Sequence, residues 1–151
     1  MLKHWPAGLL LLGSLLIGCG GDEKLVPASG QVLFNGEPLT FEGDGFIQVI
    51  PQNDRAATGA IDPSDGTFTL TTYQHGDGVA RGEHSVTVKV TTLGPRGRSV
   101  SLLPDMYTQT ATSGLTVTID EPTDTLRIEL TGKLRKLPRG KASRAGDDPG
   151  F

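Results

Sequence analysis

"EHSVTVKVTT", Glu83 to Thr92, decides the fold. Val86, Val88 and Val90 fall on one face of an extended chain, and Ser85, Thr87 and Lys89 fall on the other. Successive side chains of a strand point to opposite faces, so this period of two predicts a β-strand with one buried and one wet face. Valine and threonine are β-branched and fit a pleated surface better than a helix.

The same period recurs on both sides of that stretch. Downstream, "GLTVTID" alternates Leu115, Val117 and Ile119, and "TLRIEL" alternates Leu126, Ile128 and Leu130. Upstream, "TFTLTT" sets Phe68 and Leu70 between threonines, Phe46 to Ile50 sets Ile47 and Val49 on one face, and Gly30 to Phe34 pairs Val32 with Phe34. Asn35-Gly36 predicts a tight hairpin turn. "PSDG", Pro63 to Gly66, predicts a turn joining a strand that ends near Ile61 to "TFTLTT". About seven strands at spacings near ten residues, with no helical period of useful length, predict an all-β sandwich or barrel, and one apolar and one polar face per strand is what two sheets burying their inner faces require. Gly94 to Met106 is long for a hairpin and is expected to be a surface excursion. Residues 132–151 lack apolar periodicity and are expected to be disordered.

The chain has 151 residues, enough for one domain with a leader and tails. Its net charge of −3 is unevenly spread. Val26 to Thr131 carries 6 Lys and Arg against 13 Asp and Glu, whereas Gly132 to Phe151 carries 6 basic residues against 2 acidic ones. An acidic body repels a phosphate backbone, which argues against a nucleic-acid partner. The single cysteine excludes a disulfide framework and any multi-cysteine zinc site.

That cysteine, Cys19, sits where an apolar run gives way to glycine and acid. Lys3 and His4 form a positive start, and Leu9 to Ile17 is apolar apart from Gly13 and Ser14. This is the layout of an export signal, too short to span a bilayer. Leu16-Ile17-Gly18-Cys19 resembles the bacterial lipoprotein lipobox. The resemblance implies a signal peptide at residues 1–18, cleavage before Cys19, and palmitate-type acyl chains on Cys19. Two or three chains hold a protein stably at a membrane, each buried CH₂ contributing about 0.8 kcal/mol. A small buried cysteine, or an ordinary signal with a chance cysteine, is the alternative. Asp22 lies three places after Cys19 rather than next to it, which in this family favours the outer membrane. Residues 19–28 are then a lipidated tether, 29–131 the folded domain and 132–151 the tail.

Several words of the domain resemble the carboxypeptidase regulatory-like family. "SGQVLFNGEPL" is similar to its opening, through Gly30, Val32, Gly36, Pro38 and Leu39. "IDPSDGTFTLTT" and "DGVARGEHSVTV" are similar to the words that follow, and "LPDMYTQTATSGLTVTI" with "DTLRIEL" resembles the ending found in short bacterial lipoproteins that carry this domain. The resemblance covers about Ser29 to Leu130 and implies a seven-stranded, prealbumin-like sandwich. It implies no activity. His84 stands where the family usually has a tyrosine or similar ring, and Tyr107 matches a position expected to pack beneath the long loop.

Chemistry is sparse. Catalysis needs a nucleophile or metal with a tuned acid or base in reach. His4 belongs to the leader, His75 is expected in a solvated turn, and His84 is expected as a partly buried ring at a strand entry. No pair of ligands has the spacing of a known metal site. Asp62 and Asp65 resemble a fragment of a calcium loop without its remaining oxygens, so a turn is expected there, as at Asp77-Gly78. The hydroxyisourate hydrolases share a transthyretin-like fold but end Tyr-Arg-Gly-Ser, whereas Arg139-Gly140 here has no tyrosine before it and no serine after it. No phosphate loop or activated serine motif is present. The sequence therefore predicts no catalytic residues, no metal and no cofactor. In the tail, Lys133, Arg135, Lys136, Arg139, Lys141 and Arg144 could meet anionic headgroups or wall polymers, or simply be solvated.

These readings predict a non-catalytic envelope lipoprotein, membrane-bound through Cys19, whose sandwich binds an envelope protein or a polysaccharide. The alternative is a carbohydrate-binding module, with Tyr73 and Tyr107 the only tyrosines available to stack on a sugar.

Overall fold

The computed structural model describes residues 25–137. The leader, Cys19, the first part of the tether and the tail beyond Leu137 lie outside the described residues. Nine strands follow in chain order: β1 (Ala28–Phe34), β2 (Glu37–Pro38), β3 (Asp44–Pro51), β4 (Ala57–Ile61), β5 (Thr67–Thr69), β6 (Gly82–Leu93), β7 (Ser99–Ser101), β8 (Leu115–Ile119) and β9 (Thr123–Leu130). Two short strands, β2 and β7, add to the seven the periodicity marks out. Between β7 and β8 lie a 3-10 turn at Asp105–Thr108 and a four-residue helix, α1 (Thr110–Ser113).

The strands form one curled sheet. Its path is β2-β1-β5-β4-β3-β6-β7, with β8 also pairing β6 and β9 pairing β1. All pairs are antiparallel except β1 with β9, which run parallel from Ala28 opposite Thr123 to Phe34 opposite Leu130. The first turn follows from its residues. Asn35 (φ 52) and Gly36 (φ 85) both take left-handed backbone, which asparagine tolerates and glycine adopts freely.

The curl encloses one apolar core. The row Val86, Val88 and Val90 on β6 is fully buried and lies beside Ile47 and Val49 of β3, with Val32, Phe68, Leu70, Ile119, Ile128 and Leu130 closing around it. The alternation argument thus places these core residues correctly, because burying one face of a strand fixes its register, although Thr87 and Leu33 on the opposite faces are buried too.

Three features differ from the sequence expectation. The folded body begins at Val26 rather than at residue 29: Val26 is buried and exchanges backbone hydrogen bonds with Val79 at 2.9 and 3.1 Å. The Gly94–Met106 stretch is not purely a surface excursion, since Leu103 is buried in the core, and Tyr107 just after it is buried as expected. Tyr107 also ties the chain together. Its hydroxyl donates to the Thr131 carbonyl at 3.0 Å and accepts the Thr131 N–H at 2.9 Å. Finally, residues 132–137 are irregular and exposed yet attached, with Gly132 bonded to the Asn35 side chain and the Arg135 N–H donating to the Leu102 carbonyl at 2.8 Å.

Candidate functional site

β4 and β5 are only sparsely paired, and a groove lies over their junction. These strands share one register pair, Ile61 with Phe68, and one bridge, Thr58 with Thr71. Gly59 permits the close approach: a Cβ there would lie 2.8 Å from the Thr69 carbonyl oxygen and 3.2 Å from Ile47 Cγ2. Inward side chains alternate Ala57, Ile61 and Phe68. The outward ones are therefore Thr58, Ala60, Thr67 and Thr69, all small.

Over this outer face runs an open groove of about 750 Å³, reaching from Phe46 on β3 across β4 and β5 to Ser29 on β1. Asp62, Asp124 and His75 stand at its margins. Two smaller depressions, of about 410 and 340 Å³, share Asp124 with it and carry the surface on toward β9. Phe46 is 51 % exposed and lies between Ala60 and Lys89 on the neighbouring strands. A large apolar ring on an outer face, beside hydroxyls and two carboxylates, gives a ligand one surface to pack on and several groups to orient it.

The loop at one end of the groove is held by Asp77. Its carboxylate accepts the backbone N–H groups of Thr72 at 2.7 Å, Tyr73 at 2.9 Å and Gln74 at 2.8 Å. Burial would raise the Asp77 pKa, but these backbone donors outweigh it and hold the carboxyl below its ordinary value of 3.8. The loop so fixed presents Tyr73, 63 % exposed, with the Arg55 guanidinium 5.3 Å from its ring centroid. His75 is exposed on the same loop.

The other residues singled out from sequence fall into place differently. Asp62 Oδ1 accepts the Ser64 hydroxyl at 2.5 Å and its N–H at 2.8 Å, and these two bonds, the hydroxyl first, lower its pKa. Asp65 Oδ1 accepts the same two groups of Thr67. Both carboxylates thus serve the turn. His84 lies at the entry of β6, as expected, but is more deeply buried than expected: it is 2 % exposed, on the core-facing row of β6, and neither ring nitrogen makes a well-formed hydrogen bond. Desolvation pushes its pKa below the ordinary 6.5, against the opposing pull of the Ala80 backbone and the Asp120 charge. The fold therefore separates His84 from His75 and the groove. Tyr107 is buried, so of the two tyrosines only Tyr73 can meet a ligand.

Among the described residues, no group of three or more His, Cys, Asp or Glu is placed to hold a metal ion, and no helix is long and apolar enough to cross a membrane. Phe46 was open to detection in the sequence as an aromatic on the polar face of "FIQVI". The groove itself was not, because it depends on how β3, β4, β5 and β1 come together. Comparison with protein-family models, with curated proteins and with solved structures finds no match to the chain.

Proposed function

We propose that the chain is a non-catalytic envelope lipoprotein, tethered to a membrane through acylated Cys19, with the outer membrane favoured. Its folded part is taken as a prealbumin-like β-sandwich of the carboxypeptidase regulatory-like kind, the curled sheet being its two layers joined through the sparse β4–β5 pairing. The sandwich binds an envelope protein or polymer along the groove. Half-exposed Phe46 among Thr58, Ala60, Thr67 and Thr69 supports this reading most, because the ring sits on a rigid sheet and needs no reordering to meet a partner. The reading needs neither cofactor nor metal.

In-cell photo-cross-linking tests it. A cross-linking residue at Ala60 should capture a discrete envelope partner, and Phe46→Ala should abolish the capture. Capture that is unaffected by Phe46→Ala would rule the groove out as the binding surface.

A carbohydrate ligand is the second reading, favoured by Tyr73 with its Arg55 neighbour beside a groove rich in hydroxyls and carboxylates. Glycan-array binding that disappears with Tyr73→Ala would select it. An array without binding, together with a captured protein, would select the first reading.

A further inference from the structure

The cations of this acidic molecule are concentrated on one edge, away from the groove. β6 outruns its neighbour β3, whose first residue, Asp44, pairs with Thr91. The β6–β7 hairpin therefore overhangs, closed by Gly94 N–H to the Arg98 carbonyl at 2.7 Å, with Leu93, Arg96 and Arg98 at its tip. Leu93 is 74 % exposed.

The chain after β9 runs back toward that tip. Gly132 lies beside Pro104, and three residues later the Arg135 N–H bonds to the Leu102 carbonyl, next to the end of β7. This run adds exposed Lys133, Leu134, Arg135, Lys136 and Leu137 to the edge. Asp105 meets it in a salt bridge to Arg135 at 2.6 Å; across β6, Asp44 pairs with Thr91, and Gly43, next to Glu42, packs against Thr91 and Thr92. Five cations thus share one edge with Asp105. The remaining described residues hold only Arg55, Arg81, Lys89 and Arg127 against twelve acids.

We propose that this edge docks on an anionic phospholipid bilayer. Charge alone would suit any polyanion. The exposed leucines decide for a bilayer: basic residues interleaved with exposed apolar ones match a surface with phosphates outside and hydrocarbon just beneath. The contact is separate from the groove and from Cys19, and would orient the body on the membrane whatever the N-terminus carries. Its strength falls with salt, because it rests on exposed charges.

The test is sedimentation of the full chain with vesicles of neutral lipid alone and with vesicles containing anionic lipid. All variants keep the same N-terminus, so any leader or acyl chain contributes equally. The wild type should prefer anionic vesicles by about tenfold or more. Replacing Arg96, Arg98, Lys133 and Lys136 together by glutamine should remove that preference, and Leu93→Ser should weaken it, with melting curves unchanged. Neutralising Arg139, Lys141 and Arg144 instead should leave most of it. The proposal is overturned if the fourfold variant keeps the preference. It is also overturned if soluble polyphosphate binds as tightly as the vesicles and Leu93→Ser makes no difference, which would identify a polymer rather than a bilayer.

Discussion

His84 shows what a single residue can do to the pH response of this fold. A neutral imidazole always keeps one N–H, and here that donor is buried without a well-formed hydrogen bond, with only a weak pull from the Ala80 backbone. Protonation inside the core is worse still, which is why the pKa is depressed. The sign follows. Below pH 6.5 the unfolded chain takes up a proton that the folded chain resists, so stability falls as the pH drops from 6.5 toward the depressed value. Denaturant melts between pH 7 and pH 5 should show this loss, and His84→Phe should flatten it while keeping stability at pH 7 within about 1 kcal/mol of wild type or above it. Asp77 acts in the opposite sense. Its lowered pKa means its contribution is full above pH 3.8 and disappears in more acid solution. Asp77→Ala leaves three backbone donors without their acceptor and should cost about 1–3 kcal/mol, lowering the melting temperature and freeing the Tyr73 loop.

Among the elements, the β4–β5 junction and the segment between β7 and β8 carry most of what is particular to this chain. Gly59→Ala places a methyl against the Thr69 carbonyl and Ile47, and should cost about 1–3 kcal/mol in thermal unfolding while closing or skewing the groove. Tyr107→Phe removes the hydroxyl that serves both backbone groups of Thr131, at a cost of about 1–3 kcal/mol, and should release residues 131–137 to faster amide exchange. The strands were legible because alternation is local. Val86, Val88 and Val90 announce their face without reference to anything distant. The Asn35-Gly36 turn was legible for the same reason. What was not legible depends on distant partners. Leu103 sits in a stretch with no period, and nothing local marks it as inside, whereas the burial of Tyr107 was expected and only its bonds to Thr131 were not. Val26 reads as tether until Val79 pairs with it. Asp77 reads as an ordinary turn residue, since nothing in "YQHGDG" shows that three N–H groups converge on its carboxylate.

For the whole molecule, the distribution of charge and shape divides the surface into regions with different uses. The groove face is uncharged across its floor and acidic at its margins, with Asp62 and Asp124, and offers Phe46. The β7 edge is basic and studded with leucine. A body acidic elsewhere would be repelled from an anionic membrane in most orientations and attracted in one. The proposed tether, which would keep both surfaces at an envelope, rests on Leu16-Ile17-Gly18-Cys19. The most direct measurement is therefore the intact mass of the protein extracted from membranes, beside a Cys19→Ser version. The account predicts a mass equal to Cys19 to Phe151 plus acyl chains, with the serine version lacking them. An unlipidated mass, unchanged by the serine, would contradict it and leave a diffusible binding protein in place of a tethered one.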